Sequence, residues 1–261
     1  MKKELLTTTA LNLTNFKKFD LLPFSFSKAS RWLNDPVSFY ISYIEKIKLA
    51  SAAMLRGTCV EHGVFCLFEG KGMKQAVKEC TELFDEGVKD LDDPRKDYER
   101  ENLEMFVQGF WTQLQDYIMT DYQEEQNFEV LGVPIIGYTD FGIKLNDSEL
   151  KVDLKTSKRM PKKLTHSIQL QQSLYAKSSN MITKVLYSVV SRSQSNAQWF
   201  DVTEQDTSEK IFRDILISMD SFLSKCEDKH EMKKMLVPNL DNWIWDYDPR
   251  MSEIRKQIWG Y

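Results

Sequence analysis

A chain of 261 residues, 42% hydrophobic and 28% charged, is long enough to bury one large core and has ordinary globular composition. No apolar run approaches the length of a membrane span, and the formal net charge of −4 excludes a basic footprint over the whole surface while leaving a local one open. Cys59, Cys66, Cys80 and Cys226 form no CxxC pair, so they point to buried thiols in a reducing cytoplasm rather than to a disulfide framework or a zinc module.

The opening "MKKELLTTTALNLTNFKKFD" has two lysines but no continuous apolar region after them, which argues against a secretory signal. Residues 25–48 predict a helix behind a serine cap, with Pro36 at a break or at a second helix start. Residues 51–69, 71–90 and 95–122 predict three further helices. Val, Ile, Tyr and Phe with period-two character predict strands over 128–157. A helix over 164–178, a buried strand over 183–191 and an amphipathic helix over 207–226 follow. Trp243, Trp245, Tyr247 and Trp259 are expected to pack back on the body. The pattern is α/β with a mixed sheet, in a single domain spanning 1–261.

The stretch "GYTDFGIKLNDSELKVDLKTSK" reads as a hairpin turning at Asn146-Asp147, since both residues tolerate left-handed turn conformations. Cross-strand partners then have numbers that sum to 293, which sets Asp140 opposite Asp153. Directly opposed carboxylates repel. A divalent cation between them, or one retained proton, makes the pair tolerable, and oxygen ligands favour Mg²⁺ or Mn²⁺. Strand alternation puts Lys155 on the face of Asp153 and turns Leu154 to the core. A solvated hairpin with exposed charges is the competing reading, and a slip of one residue in register would undo the geometry.

Helix 51–69 carries Gly57, Glu61, Val64 and Phe68 on one stripe, so Glu61 interrupts a small or apolar face. A carboxylate there needs a partner or a cation. His62 lies at the edge of the stripe, either structural or a ligand. The segment 153–166 carries Lys155, Lys158, Arg159, Lys162 and Lys163, a local reversal of sign that fits contact with a phosphate backbone or a plain solvated loop. Gln171 and Tyr175 share a helix face at i and i+4.

Taken in order, G-x-x-x-E (Gly57, Glu61), G-x-x-D (Gly137, Asp140), D-x-K (Asp153, Lys155) and Q-x-x-x-Y (Gln171, Tyr175) resemble the PD-(D/E)XK nuclease superfamily in its RecB-like or phage exonuclease branch. "SFSKASRWLNDPVSFY" is similar to the S-x-S…CP…F opening of RecB-like and CRISPR-adaptation nucleases. The resemblance spans about residues 25–190. It implies a restriction-endonuclease-like core, a central mixed β-sheet flanked by helices, with N- and C-terminal helical elaborations, the latter over about 205–261. The first-helix position is often His in RecB-like members and Glu in lambda-exonuclease-like ones; counting four from Gly57 selects Glu61, with His62 as the alternative. Members with an iron–sulfur cluster carry a Cys before the early Pro and three more near the C-terminus. Here Asp35 precedes Pro36 and Cys226 is the one late cysteine, so no cluster is expected.

The resemblance implies a Mg²⁺- or Mn²⁺-dependent deoxyribonuclease. Asp140, Asp153, Glu61 and the Leu154 carbonyl would hold the cation, Lys155 would orient the attacking water, and Gln171 and Tyr175 would steady the phosphate or Lys155. Lys158, Arg159, Lys162 and Lys163 would track DNA. The expected role is exonuclease action on linear DNA in recombination, repair or phage DNA processing, in the cytoplasm of a bacterium or infected host. A structure-specific endonuclease or a weakly catalytic nucleic-acid-binding protein is the alternative. No GxxxxGK[ST] motif is present, so a helicase, recombinase or single-strand annealing partner would be a separate protein.

Overall fold

The computed structural model describes residues 10–48, 50–191, 194–203, 205–241, 245 and 249–260. Side-chain caps set the helix starts. Ser25 accepts from the Lys28 amide to open α2 (Phe26–Asn34), Asp35 accepts from Val37 to open α3 (Pro36–Phe39), and Ser51 accepts from Met54 to open α4 (Ala52–Phe68). Pro36 therefore stands at a second helix start, where its missing N–H costs nothing. A short α1 (Thr14–Lys18) and a two-residue β1 (Phe24–Ser25) precede α2, and a π-helical turn (Tyr40–Ile44) follows α3. Residues 25–48 are thus a strand end and three short helical pieces rather than one helix.

Next come α5 (Met73–Gly87), α6 (Lys96–Glu101) and α7 (Leu103–Leu114). The helix expected over 95–122 ends early, because Ile118 already begins β2 (Ile118–Val130). β3 (Val133–Leu145), β4 (Ser148–Ser157), α8 (His166–Ser179), β5 (Ile182–Ser191) and β6 (Gln194–Asp201) complete the sheet region. α9 (Gln205–Leu223), α10 (Lys229–Met235) and α11 (Pro249–Trp259) close the chain. β1, β6 and most of β2 were not anticipated from the sequence.

The six-stranded sheet runs β1-β3-β4-β5-β6, with β2 along the other edge of β3. β1–β3 and β4–β5 are parallel and the remaining pairs antiparallel, so the sheet is mixed, as expected. One face is covered by α4, α5 and α7, whose Val60, Val64, Val107 and Phe110 pack with Phe141, Ile143, Val152 and Leu186. A second core joins α2, α8 and α9 to Val133 and Ile135 of β3. Trp245 is buried in it and Trp259 packs against it, while Trp243 and Tyr247 lie outside the described residues. No helix among the described residues is long and apolar enough to cross a membrane.

Candidate active site

The β3–β4 hairpin adopts the register read from the turn. Leu145 pairs with Ser148 and Phe141 with Val152, and Asn146 takes the left-handed φ of +54° that the turn demands. The ladder stops at Phe141–Val152, one step before Asp140 would meet Asp153. Beyond that point the same edge of β3 is taken up by β1, at Ile135 and Ile136. Residues 137–140 therefore have no strand partner on this edge, and the Leu154 amide donates to the Asp140 Oδ2 carboxylate oxygen (2.7 Å) instead of to backbone. N–H and C=O of one residue point to the same side of an extended strand, so the Leu154 carbonyl faces this gap too.

The other edge of β3 is also irregular here. β2 pairs Tyr122 with Phe141 and Glu124 with Thr139, leaving Gln123 opposite Asp140 but out of the ladder, with a φ of +49°. That kink directs the Gln123 side chain to α4, where its Nε2 donates to Glu61 Oε1 at 2.9 Å. Tyr122 also hydrogen-bonds Glu61, and its ring stacks on Phe65 with centroids 4.2 Å apart. Glu61 is thereby held toward the two aspartates from the neighbouring helix.

The proximity of these groups shows in their electrostatics. Burial pushes the Asp140 carboxyl well above its ordinary range, and the charges of Asp153 and Glu61 push it further, against Lys155 and the Leu154 N–H. Glu61 is likewise raised, chiefly by burial and then by Asp153, with the Gln123 hydrogen bond opposing. Burial works against the charge of Lys155, but Asp153 and Asp140 overcome it and hold the ammonium above its usual range. Lys155 Nζ lies 2.5 Å from Asp153 Oδ2, in an ion pair whose carboxylate is buried. Three carboxylates against one ammonium leave an excess of two negative charges when all are ionised. An all-oxygen set with surplus negative charge fits a hard divalent cation.

Around this cluster, Lys155 pairs with Tyr187 of β5, and the two share the sheet face of Asp153 and Val185. Gln171 Nε2 donates to the Tyr175 hydroxyl at 3.3 Å, and Tyr175 is close enough to feel Asp153 and Lys155. The Tyr175 ring lies directly over Gly137, where a Cβ would come within 2.2 Å of its hydroxyl. A cavity of about 420 Å³ is lined by Ser25, Ser27, Tyr43, Tyr138, Gln171 and Tyr175. The basic segment is anchored on the same sheet face: Leu164 and Met160 pack on Val185 and Tyr187, while Lys158, Arg159, Lys162 and Lys163 are exposed. Lys158 also sits over the Tyr98 ring, 5.0 Å from its centroid.

His62 is the one predicted site residue set apart from this group. It faces away toward α5, with Nε2 3.6 Å from Cys66 Sγ and 3.7 Å from Glu79 Oε2. A residue one step along a helix is rotated by about 100°, so Glu61 and His62 cannot both point into the gap. Three neighbours were missed in the sequence. Tyr122 and Gln123 lay inside a region read as helix or left unassigned, and Arg56 carried no motif. Arg56 is buried against Glu99 and donates from Nε to Thr156 Oγ1 (3.1 Å) and from Nη2 to the Thr156 carbonyl (3.3 Å), fixing α4 to the residue after Lys155.

A family model described as the PD-(D/E)XK nuclease superfamily matches residues 23–247. The crystal structure of SSO0001 aligns with 75% of this chain and 84% of its own at 11% identity and a TM-score of 0.32. No curated protein matches the chain.

Proposed function

This chain belongs to the PD-(D/E)XK nuclease superfamily, and from that premise we propose that it is a metal-dependent exonuclease acting on the ends of linear DNA in recombination, repair or phage DNA processing. The observation that carries the reading is the convergence of Asp140, Asp153, Glu61 and Lys155 at the point where β3 and β4 part.

Asp140, Asp153 and Glu61, with the Leu154 carbonyl, would hold Mg²⁺ or Mn²⁺. Bound there, the cation supplies Lewis-acid charge at the scissile phosphate and lowers the pKa of a water. The chain's own groups do the positioning. Lys155, kept charged by its carboxylate neighbours, holds the attacking water or a phosphate oxygen through its N–H donors. Gln123 and Tyr122 fix the Glu61 carboxylate. Gln171 and Tyr175 offer donors to the phosphate on the far side of Gly137. Lys158, Arg159, Lys162 and Lys163 supply sequence-independent contacts along the backbone.

The test is digestion of end-labelled linear and covalently closed circular DNA in Mg²⁺. Loss of linear DNA alone, abolished by Asp153→Ala and Lys155→Ala, is the expected result. Cleavage of circles would replace exonuclease with endonuclease action. Full activity in both variants would remove the site assignment.

A further inference from the structure

The geometry points to a second cation site, built from His62, Cys66 and Glu79 and suited to zinc. His62 and Cys66 stand one turn apart on α4, so their side chains share a face. The chain reverses at Gly70, whose φ is +81°, and α5 then presents Glu79 to that face. The three donor atoms form a closed triangle. Cys66 Sγ lies 3.6 Å from His62 Nε2 and 3.2 Å from Glu79 Oε2, and His62 Nε2 lies 3.7 Å from Glu79 Oε2. Bonds of about 2.3 Å to sulfur and about 2.0–2.1 Å to nitrogen and oxygen give tetrahedral edges of roughly 3.3–3.6 Å. The Cys66–His62 edge matches, and the two edges to Glu79 lie within about 0.4 Å of it, a difference that rotation of the Glu79 side chain can take up.

Two further features favour a cation at this spot. Lys71 Nζ already brings a positive charge there, 2.7 Å from Glu79 Oε2 and 3.6 Å from Cys66 Sγ. Gln75 Nε2 donates to the other carboxylate oxygen, Oε1, at 2.9 Å, which turns Oε2 inward as an outer-shell partner of a ligand would. Cys66 is fully buried while the His62 and Glu79 side chains are 33% and 25% exposed, so an ion has an open approach.

The donor set separates this site from the oxygen-only gap next to it. A thiolate, an imidazole and one carboxylate select a borderline-soft ion, and three protein ligands leave a fourth position for water. On binding, the Cys66 thiol, which now donates to Glu79, loses its proton to solvent, and the Lys71 ammonium moves off as the metal takes its place. The ion would clamp α5 to the turn of α4 that carries Glu61.

The experiment uses full-length protein without a histidine tag, stripped with chelator and titrated with Co²⁺, then with Zn²⁺ as competitor. One equivalent of Co²⁺ should give thiolate-to-cobalt charge-transfer absorption and tetrahedral d–d bands, both erased by Zn²⁺. Cys66→Ser should abolish the charge-transfer band, and His62→Ala should weaken Zn²⁺ binding at least tenfold. Gln75→Ala should weaken it by about 10-fold, as loss of an outer-shell partner does. Asp153→Asn should leave the spectrum intact, which separates this ion from one in the gap. Absence of a thiolate–cobalt band in the wild-type protein, or its persistence in Cys66→Ser, would overturn the assignment and leave a Lys71–Glu79 ion pair in its place.

Discussion

Replacing Gly137 by alanine drives a methyl group into the ring of Tyr175. The added carbon would lie 2.2 Å from the hydroxyl oxygen, 2.5 Å from Cε1 and 2.6 Å from Cζ. Carbon contacts are optimal at about 3.5–4.0 Å, so the ring must retreat by about 1 Å. Tyr175 is 3% exposed, so the overpacking should cost about 1–3 kcal/mol. At about 2–4 °C per kcal/mol for a chain of this size, Tm should fall by roughly 2–12 °C. The melt is best read in chelator, so that metal binding does not contribute. Activity should fall further than stability, because a displacement of about 1 Å at a positioning group can cost about 100-fold. The reasoning is refuted by a cycle with Tyr175→Ala. Without the ring, Gly137→Ala should cost less than about 0.5 kcal/mol. An equal penalty in both backgrounds would place the constraint in the backbone of β3 and not in the tyrosine.

Arg56→Met strands the Glu99 carboxylate, which is fully buried, and should destabilise the protein by about 3–5 kcal/mol in urea unfolding, with Arg56→Met/Glu99→Leu recovering most of the loss. Asp93 is held at about 2 by the Arg95 side chain and by the Arg95 and Ala52 amides, below its usual 3.8. A depressed carboxyl adds stability above its unfolded pKa and loses it as pH falls through the folded one, so Asp93→Asn should cost about 1–2 kcal/mol at pH 7 and little near pH 2, measured by chemical denaturation across pH. Neutralising Lys158, Arg159, Lys162 and Lys163 together in an Asp153→Asn background should lower the slope of log affinity against log salt by about 3–4 for duplex DNA, read by fluorescence anisotropy. An unchanged slope would put the DNA path elsewhere.

How much of this was legible beforehand depended on how local the determinants are. The hairpin was readable because two constraints agree. A turn needing left-handed backbone at Asn146 fixes the register, and alternation then assigns every side chain of β3 and β4 to a face. The sum that placed Asp140 against Asp153 continues the ladder by one residue past its last pair. What the sum could not show is that the strands separate there. That separation depends on β1, two residues contributed from more than a hundred positions upstream, which takes the edge of β3 that β4 gives up. β2 was hidden for the opposite reason. Its register shifts between Met119 and Asp121, so the period-two signal changes phase within the strand, it kinks at Gln123, and its Asp, Glu and Gln side chains suit a helix surface equally well. The same kinks deliver Tyr122 and Gln123 to Glu61. The irregularity that defeated periodicity is therefore what lets the sheet meet α4 at the carboxylates. In this chain a break in pattern on β2, a glycine under a tyrosine ring and an aspartate beyond the end of a ladder converge on one place. Interrupted regularity, more than any single motif, marks where the proposed site is built.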